Sequence, residues 1–318
     1  MSDKCFSPTS SSPKVSVVVI TYNHENFIDQ TIESIVTQET TFQIEVLIGD
    51  DFSTDGTRAK ILEWERRYPQ LIRPLLHDAN LGPTHNFNSA MKASRGEYVA
   101  MIEGDDYWSD VRKLQKQSDC LDANQDASLC FHLHDVYNDT TERFLPSFAG
   151  AILQESDFSP KEMLNHVAMH TSTKMWRRKF LPHFDKCHKS RQFDCAINVL
   201  LALRGRIIRL DEVMSVYRLH PGGGWVGATK LNQNIGIYQC MNLLYKNVPA
   251  YFRSEVMAVL VGAQVEMISE MKRQSDSRLL FSIMAFLKNL FHINARRRKN
   301  YLGWLWSVLT SRNLINKS

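Results

Sequence analysis

The first hundred residues alternate between short apolar runs and amphipathic stretches. Residues 15–20 read VSVVVI, a run of mostly β-branched residues without charge, which is typical of a strand covered on both faces. Similar runs recur at residues 44–51, 72–77 and 97–103, and the stretches between them carry apolar residues at helical spacing. This order predicts an α/β protein with a doubly wound, mostly parallel sheet flanked by helices.

The pattern changes in the second third of the chain. We predict a helix through KLQKQSDCLDAN, a strand near SLCFHLHDVYN and a helix near CAINVLLALRG that ends on Gly205. From about Thr229 onward, the chain reads almost wholly helical. At the other end, residues 1–14 are rich in serine and proline and have no apolar period, which predicts a disordered tail.

The composition is that of a soluble globular protein. With 318 residues, 43% of them hydrophobic, the chain is long enough to bury a sizeable core without disulfides. A net charge of +4 is too small to indicate a nucleic-acid partner. The six cysteines form no CxxC pair and no signal peptide precedes the first strand, which favours reduced thiols and a cytoplasmic location. No run of about 18 uncharged apolar residues occurs, so we predict no transmembrane helix.

An acidic turn lies at residues 101–108, which read MIEGDDYW. Glu103, Asp105 and Asp106 follow an apolar run and fall within four residues, so their charges repel one another. A folded protein that places three such carboxylates at the end of a buried strand usually binds a cation there. In a doubly wound sheet, ligands bind outside the carboxyl ends of the strands, which is where this turn falls. A turn that caps the following helix is the alternative interpretation.

Four segments together resemble the family 2 glycosyltransferases. In chain order they are VSVVVITYN, VLIGDDFSTDGT, SRGEYVAMIEGDDYW and FDCAINVLLALRGRIIRLDEVMSVYRLHPGGG, and their order and spacing make the resemblance specific. It covers about residues 15–224 and implies the GT-A fold with a C-terminal helical extension. By this resemblance, residues 15–110 form the nucleotide-sugar-binding half, residues 111–227 the acceptor and catalytic half, and residues 228–318 the helical region.

The resemblance implies a divalent cation site of the DXD type. It assigns Asp105, Asp106 and His220 to Mg²⁺ or Mn²⁺, ions that take oxygen ligands and, for Mn²⁺, imidazole. The cation would neutralise the diphosphate of the donor as the sugar leaves. Glu103 departs from the family pattern, which commonly has Asp at this position. The donor-binding residues that the resemblance implies are Thr21, Tyr22, Asn23, Asp50, Asp51, Glu103, Asp105 and Arg218.

For several of these residues, a structural role is the alternative. Asp51 is expected to accept a hydrogen bond from the nucleobase, whereas an Asx turn or helix cap explains Asp55 better. Tyr22 packs the nucleobase in one interpretation and belongs to the core in the other. Arg218 contacts a phosphate in one interpretation and pairs on the surface in the other.

Asp194 is the candidate catalytic base. The resemblance places it at the start of the helix that faces the acceptor, in the context FDCA. In an inverting transfer, one carboxylate must remove the proton of the acceptor hydroxyl as that oxygen attacks. An ordinary acid at a helix N-terminus is the alternative.

Two other clusters suggest chemistry less strongly. His132 and His134 share a face of a predicted strand and resemble a metal pair, but a satisfied sheet face explains them better. Cys187 and Cys195 suggest a thiol nucleophile, yet nothing nearby in sequence supports the base that such a thiol needs.

The C-terminal region leaves two interpretations open. Residues 279–291 are strongly apolar, residues 295–299 read ARRRK, and YLGWLW follows. These features suit an interfacial helix on an anionic membrane leaflet. A helical subdomain packed on the catalytic core or on a second subunit is the other interpretation.

The resemblance implies an inverting transfer of a sugar, UDP-linked, to a hydroxyl of a glycan or polyprenyl-linked glycan. Its setting would be the synthesis of bacterial surface polysaccharide or lipopolysaccharide at the cytoplasmic face of the membrane. A nucleotidyltransferase of related fold is one alternative, but TYNHEN lacks the Gly-rich GxGTR loop of that class. A non-catalytic nucleotide-sugar or glycan-binding protein is another, and the joint presence of Asp105, Asp106, Asp194 and His220 argues against it. Whether the chain forms a homo-oligomer stays open.

Overall fold

The computed structural model describes residues 12–145, 158–165, 169–180, 193–223, 228–290, 292 and 295–310. The strands are β1 Val15–Thr21, β2 Ile44–Asp50, β3 Ile72–Leu76, β4 Tyr98–Glu103, β5 Tyr107–Trp108, β6 Ala127–Asn138, β7 Arg143–Leu145, β8 Met175–Arg177 and β9 Arg206–Leu219. The described α-helices are α1 Ile28–Val36, α2 Thr57–Arg67, α3 Pro83–Ala93, α4 Lys113–Ala123, α5 Pro160–Asn165, α6 Phe193–Ala202, α7 Lys230–Asn247, α8 Arg253–Arg273, α9 Leu279–Leu290 and α10 Ala295–Thr310. Short 3-10 helices lie at Thr171–Thr173, Arg178–Phe180 and Ala250–Phe252.

The sheet places β1 and β4 side by side. Its order is β3-β2-β1-β4-β8-β6-β9-β5, with β7 paired to β6. β1 runs parallel to β2 on one side and to β4 on the other, so the strand order changes direction between these neighbours. Such a switch point opens a crevice at the carboxyl ends of the strands. The acidic turn follows β4 and therefore lies at this crevice.

The predicted parallel half is confirmed, and the second half of the sheet is mixed. β3, β2, β1 and β4 are all parallel. β8 pairs antiparallel with both β4 and β6, while β9 runs parallel to β6 and antiparallel to β5. β8 has three residues, too few for an alternating pattern to reveal it in the sequence.

Two hydrophobic cores cover the two faces of the sheet. Val17 and Val19 of β1 point into a core with residues of α1, α2 and α4. Val18 and Ile20 point into the opposite core, which residues of α3 and α6 complete. This burial on both faces explains why VSVVVI is apolar at nearly every position.

The C-terminal helices extend the second core. Helices α7 to α10 contribute buried side chains, among them Leu244, Leu260, Phe286 and Leu305, to the same cluster as α3 and α6. The region therefore packs on the rest of the fold through α3, α6 and the sheet, as one of the two sequence interpretations predicts. Among the described residues, no helix combines the length and the apolar run needed to cross a membrane.

The described chain begins inside the predicted tail. Lys14 N donates a hydrogen bond to the carbonyl of Gln43 at 2.8 Å, so ordered contacts start just before β1. Residues 1–11 of the predicted tail lie outside the described residues.

Candidate active site

Hydrogen bonds to its backbone hold the acidic turn against β1 and α1. Gly104 N donates to the carbonyl of Ile20 at 2.9 Å. Thr31 Oγ1 donates to the carbonyls of Gly104 and Asp106 at 2.9 and 2.6 Å. A Cβ at Gly104 would lie 2.5 Å from Thr21 Oγ1, so a side chain there would force the turn away from β1. The turn is therefore fixed over the switch point of the sheet.

The carboxylates of Glu103, Asp105 and Asp106 converge. One oxygen from each lies within 4.8 Å of the others. Asp105 Oδ1 and Asp106 Oδ2 are buried and have no hydrogen-bond partner among the described residues. Buried carboxylate oxygens without a donor are destabilising unless a cation approaches them. Three oxygen ligands in this arrangement fit the predicted divalent cation.

Burial and mutual repulsion change how these carboxyls ionise. Burial, followed by the charges of Asp105 and Asp194, raises the pKa of Glu103 to about 8. Burial, followed by the charges of Asp105 and Glu103, raises the pKa of Asp106 well above its ordinary value. Burial also opposes ionisation of Asp105, but two neighbouring histidines hold its pKa below the ordinary range. The turn thus retains protons that a divalent cation would displace.

Three histidines surround the turn. His220 Nε2 lies 3.1 Å from Asp105 Oδ2, and His24 Nε2 lies 3.5 Å from the same oxygen. His170 Nδ1 lies 3.7 Å from Asp106 Oδ2. Burial lowers the pKa of His24 and of His170, so both rings are neutral at pH 7. Sequence reasoning singled out only His220, because the other two stand in no motif with ligand spacing.

Arg218 clamps the acidic turn from β9. Its backbone N donates to Asp106 Oδ1 at 3.0 Å, and its Nε donates to the carbonyl of Asp105 at 2.9 Å. The guanidinium also donates to Gln30 Oε1 and to Asp139 Oδ1. Arg218 is buried and holds the two acids in place, while its predicted phosphate contact stays a prediction.

Asp194 lies in the first turn of α6, beside the acidic turn. Its side chain is 37% exposed, and Lys174 Nζ lies 3.7 Å from its Oδ2. Lys174 is buried, and its Nζ has no hydrogen-bond partner within the part of the chain that the structure describes. The charge of Asp194 also contributes to the raised pKa of Glu103. The sequence offered no sign of Lys174, because strand β8 brings it here from far along the chain.

The remaining residues that are predicted to bind the nucleotide-sugar donor lie at the carboxyl ends of β1 and β2. Thr21 pairs in register with Asp50, and its Oγ1 is buried with no hydrogen-bond partner among the residues described. Tyr22 is 42% exposed, so it is not a core residue. Asn23 Oδ1 accepts from Thr54 N at 2.8 Å, which ties the exit of β1 to the turn after β2.

The two acids after β2 already have partners. Asp50 is fully buried, its Oδ2 accepts from Arg58 Nε at 2.7 Å, and its Oδ1 accepts from Ser53 N at 3.3 Å. The oxygens of Asp51 accept from the backbone N–H groups of residues 81 and 82 at 2.8 and 2.9 Å. Asp50 therefore exposes no surface to a nucleotide-sugar donor, and Asp51 anchors the loop that precedes α3.

The geometry supports the structural role of Asp55, whereas His132 satisfies the predicted sheet face only in part, because its Nε2 is buried without a hydrogen-bond partner among the described residues. Asp55 Oδ1 accepts from Thr57 N at 3.0 Å, the Asx-type contact expected at the start of α2. His132 is buried, and its Nδ1 lies 2.7 Å from the carbonyl oxygen of Leu133. Across the described ranges, the group of potential metal ligands is the acidic turn and does not include His132 or His134.

The chain matches a family model and relatives in sequence. The model described as Glycosyl transferase family 2 matches residues 16–198. An uncharacterised protein of Mycobacterium tuberculosis is 38% identical over 218 residues, which are 67% of this chain and 61% of that protein. The chain thus spans less than two thirds of that relative. A Bacillus subtilis protein named putative teichuronic acid biosynthesis glycosyltransferase TuaG is 31% identical over 159 residues, 50% of this chain and 55% of that one.

Two solved structures share the fold. S. aureus TarS in complex with UDP-GlcNAc aligns with a TM-score of 0.56 at 18% identity, over 87% of this chain and 89% of that one. The mannosyltransferase PcManGT from Pyrobaculum calidifontis, in complex with GDP-Man and Mn²⁺, aligns with a TM-score of 0.56 at 17% identity, over 96% of this chain and 89% of that one. The likeness confirms the predicted GT-A architecture. Since the family model covers more than half of its length, the chain belongs to glycosyl transferase family 2.

Proposed function

We propose that this chain transfers a sugar from a nucleotide-diphosphate donor to a hydroxyl of a glycan, with inversion at the anomeric carbon. The observation that carries the proposal is the acidic turn, where one buried oxygen each of Asp105 and Asp106 has no hydrogen-bond donor among the described residues. The half-buried carboxylate of Asp194 begins α6 beside Lys174. The carboxylates of Asp105 and Asp106 suit a cation that binds the donor diphosphate. The carboxylate of Asp194 suits a base that accepts a proton. Membership of the family supports the same reaction class.

The donor diphosphate lies against a divalent cation in this proposal. Asp105, Asp106 and His220 hold the cation, and Glu103 supports them. When bound, Mg²⁺ or Mn²⁺ neutralises the diphosphate as a Lewis acid. The Mn²⁺ in the PcManGT complex supports this assignment. Arg218 contributes by keeping the backbone of the turn in place.

We assign the nucleotide to the exits of β1 and β2. The exposed ring of Tyr22 offers a stacking face for the base, and Asp51 supports the adjacent loop while it accepts from the base. Asp50 and Asn23 act indirectly, because each holds the turn after β2. UDP is the proposed nucleotide, in keeping with the UDP-GlcNAc complex of TarS.

Asp194 is the proposed general base. As the acceptor oxygen attacks the anomeric carbon, its proton moves to the Asp194 carboxylate and the bond from that carbon to the diphosphate oxygen breaks. Attack and departure occur on opposite faces of the sugar, which inverts the configuration. Lys174 positions the base, since its ammonium lies 3.7 Å from Asp194 Oδ2 and is buried.

The proposed acceptor is a glycan or polyprenyl-linked glycan of a bacterial surface polysaccharide, modified on the cytoplasmic side. The resemblance in sequence to TuaG, which is named for teichuronic acid biosynthesis, supports this setting. We propose that residues 15–110 bind the donor and that residues 111–227 bind the acceptor and carry out catalysis. Residues 228–318 form the helical region.

A screen of nucleotide sugars for metal-dependent hydrolysis tests the reaction class and names the donor. With donor and acceptor in hand, Asp194→Asn should lower transfer by about 10²–10⁴-fold while metal-dependent UDP affinity stays near that of the wild type. Asp126→Asn is the matched control, because Asp126 is 63% exposed and pairs with Arg206. Asp211 and Glu212 are the next residues to test if Asp194 is not the base. Transfer by Asp194→Asn within a few-fold of wild type would assign the base to another residue, and no hydrolysis of any donor would reject the reaction class.

A further inference from the structure

Helix α9 has two faces with different surroundings. Ser282, Phe286 and Leu290 recur every fourth residue and are buried against the helical layer. The opposite face carries large apolar side chains that are well exposed: Leu280 is 70% exposed, Phe281 is 72% exposed and Met284 is 55% exposed. One face of α9 is therefore accounted for by packing, and the other is not.

Helix α10 repeats this division. The rings of Tyr301 and Trp304 lie 6.3 and 5.8 Å from that of Phe286, and Leu305 is buried. On another face, Leu302 is 44% exposed and Trp306 is 72% exposed. We call the exposed apolar side chains of both helices the C-terminal apolar face, which consists of Leu280, Phe281, Met284, Leu287, Leu302 and Trp306.

The charge of this region has one sign. Residues 277–318 contain eight lysines and arginines and no aspartate or glutamate, although acids are frequent elsewhere in the chain. Lys288 stands seven residues after Phe281 and Lys299 seven residues before Trp306, so each lysine lies on the exposed face of its helix. Both lysines are exposed. On each of the two helices, apolar and basic side chains thus share the exposed face.

A second copy of the chain is a poor occupant for this surface. Two copies meeting through it would bring two wholly basic segments together, and like charges repel at close range. An anionic lipid surface complements the charge, buries the apolar side chains in the headgroup region and suits the exposed tryptophan. Helix α9 has 12 residues and a length of about 18 Å, which lets it lie on a bilayer but not cross it.

We propose that the C-terminal apolar face docks the protein on membranes that contain anionic lipids. The inference rests on the exposed side chains and the one-signed charge of this region, and it does not depend on the proposed reaction. Binding should weaken as salt is raised, because part of it is electrostatic.

Vesicle flotation of the full chain tests the proposal. The probes are vesicles of phosphatidylcholine alone and of phosphatidylcholine with phosphatidylglycerol. We expect binding to the second kind, with a loss of about tenfold or more in the double variants Leu280→Ser/Phe281→Ser and Lys288→Glu/Lys299→Glu. Tyr251→Ser and Lys246→Glu are matched controls, since Tyr251 is 75% exposed and Lys246 is exposed on another helix.

These variants should fold, because the altered residues are exposed. An unchanged melting temperature would confirm that they do. Three results would overturn the proposal: no binding by the wild type, equal binding to both kinds of vesicle, or equal losses in face variants and controls. A dimer in light scattering that Leu280→Ser/Phe281→Ser dissociates, without vesicle binding, would also overturn it and assign the face to a second copy. None of these results bears on donor hydrolysis, which tests the reaction separately.

Discussion

The tripeptide Gly-Asp-Asp occurs twice, at residues 49–51 and at residues 104–106, and the two copies have opposite surroundings. Both follow parallel strands and reach the same edge of the sheet. In the first copy the protein supplies the partners: Arg58 and Ser53 bind Asp50, and two backbone N–H groups bind Asp51. Every carboxylate oxygen of that turn thus has a hydrogen-bond donor from the protein.

The second copy is incomplete. Asp105 and Asp106 each have one oxygen engaged and one buried oxygen without a hydrogen-bond partner among the described residues. The groups nearest to them are Arg218, which donates to Asp106 Oδ1 and to the carbonyl of Asp105, Glu103, which adds repulsion, and histidines. Identical local sequences thus differ in whether the protein satisfies every carboxylate oxygen, as it does at residues 49–51, or leaves one buried oxygen of each acid unpaired among the described residues beside a third carboxylate, as it does at residues 104–106.

The largest effect should come from Asp105→Asn in the incomplete copy. If this carboxylate holds the cation that stabilises the departing diphosphate, transfer should fall on the order of 10²–10³-fold. The melting temperature of the metal-free protein should fall by only a few degrees, because the variant removes a charge that His24 and His220 stabilise but also relieves its repulsion with Glu103 and Asp106. Activity assays and calorimetry with UDP and Mn²⁺ measure both effects. Unchanged metal-dependent UDP affinity would remove Asp105 from the site.

The reverse outcome is expected for Asp50→Asn in the complete copy. Asp50 is fully buried and accepts from Arg58 Nε at 2.7 Å, so loss of its charge leaves the guanidinium without its counter-ion. We expect the free energy of unfolding to fall by about 2–3 kcal/mol. Transfer per folded molecule should stay within a few-fold of wild type. Denaturant melts with active-site titration separate the two quantities, and a large loss of transfer at normal stability would make Asp50 a direct donor ligand.

The comparison also shows how far sequence reasoning extends. Strands β1, β2 and β4 were predictable because burial on both faces makes them uninterrupted apolar runs, and the turns after them follow from chain order. The position of the acidic turn at this edge of the sheet was predictable for the same reason. The difference between the two Gly-Asp-Asp copies was not, because Arg58 and the loop at residues 81–82 carry no local signal of their contacts.

Long-range pairing explains most of the rest. His170 and Lys174 reach the site through a three-residue strand, β8, that pairs antiparallel between β4 and β6. No periodic pattern marks so short a strand, and no spacing rule connects residues about 70 positions from the acidic turn. The C-terminal helices were predictable as helices, but their division into packed and exposed faces needed the neighbours against which they pack.

Lys174 adds an internal cation near the incomplete copy, and Lys174→Met tests what it does. If its ammonium positions Asp194, turnover should fall about tenfold, equivalent to about 1.4 kcal/mol, with donor KM and UDP affinity unchanged. Stability should not fall, because a buried ammonium without a hydrogen bond is replaced by an apolar chain of similar length. Steady-state kinetics and thermal melts give these values.

A double variant decides whether Lys174 acts through the base. Lys174→Met combined with Asp194→Asn should be no slower than Asp194→Asn alone, since the residue that Lys174 positions is already disabled. If the loss of turnover in the double variant equals the product of the losses in the two single variants, Lys174 acts on a group other than Asp194. A loss of stability with normal turnover per folded molecule would make it a structural residue only.

The smallest expected effect is a change in how stability depends on pH, and it isolates Glu103. Burial, then Asp105 and Asp194, raises its pKa from 4.5 to about 8 in the folded chain. Between these values the folded state keeps a proton that the unfolded state has lost, so this residue lowers stability as pH rises. The comparison with Glu103→Gln removes the titration of Glu103 together with its effect on the pKa of Asp106, which Glu103 also raises. In EDTA, the melting temperature of Glu103→Gln minus that of wild type should therefore increase from about pH 5 to pH 8 and then level off.

Saturating Mn²⁺ should flatten this increase, because a bound cation displaces the proton and stabilises the wild-type carboxylate. A difference that stays constant with pH in EDTA would show that Glu103 is ionised without a cation, and would place the incomplete copy closer to its satisfied counterpart after β2.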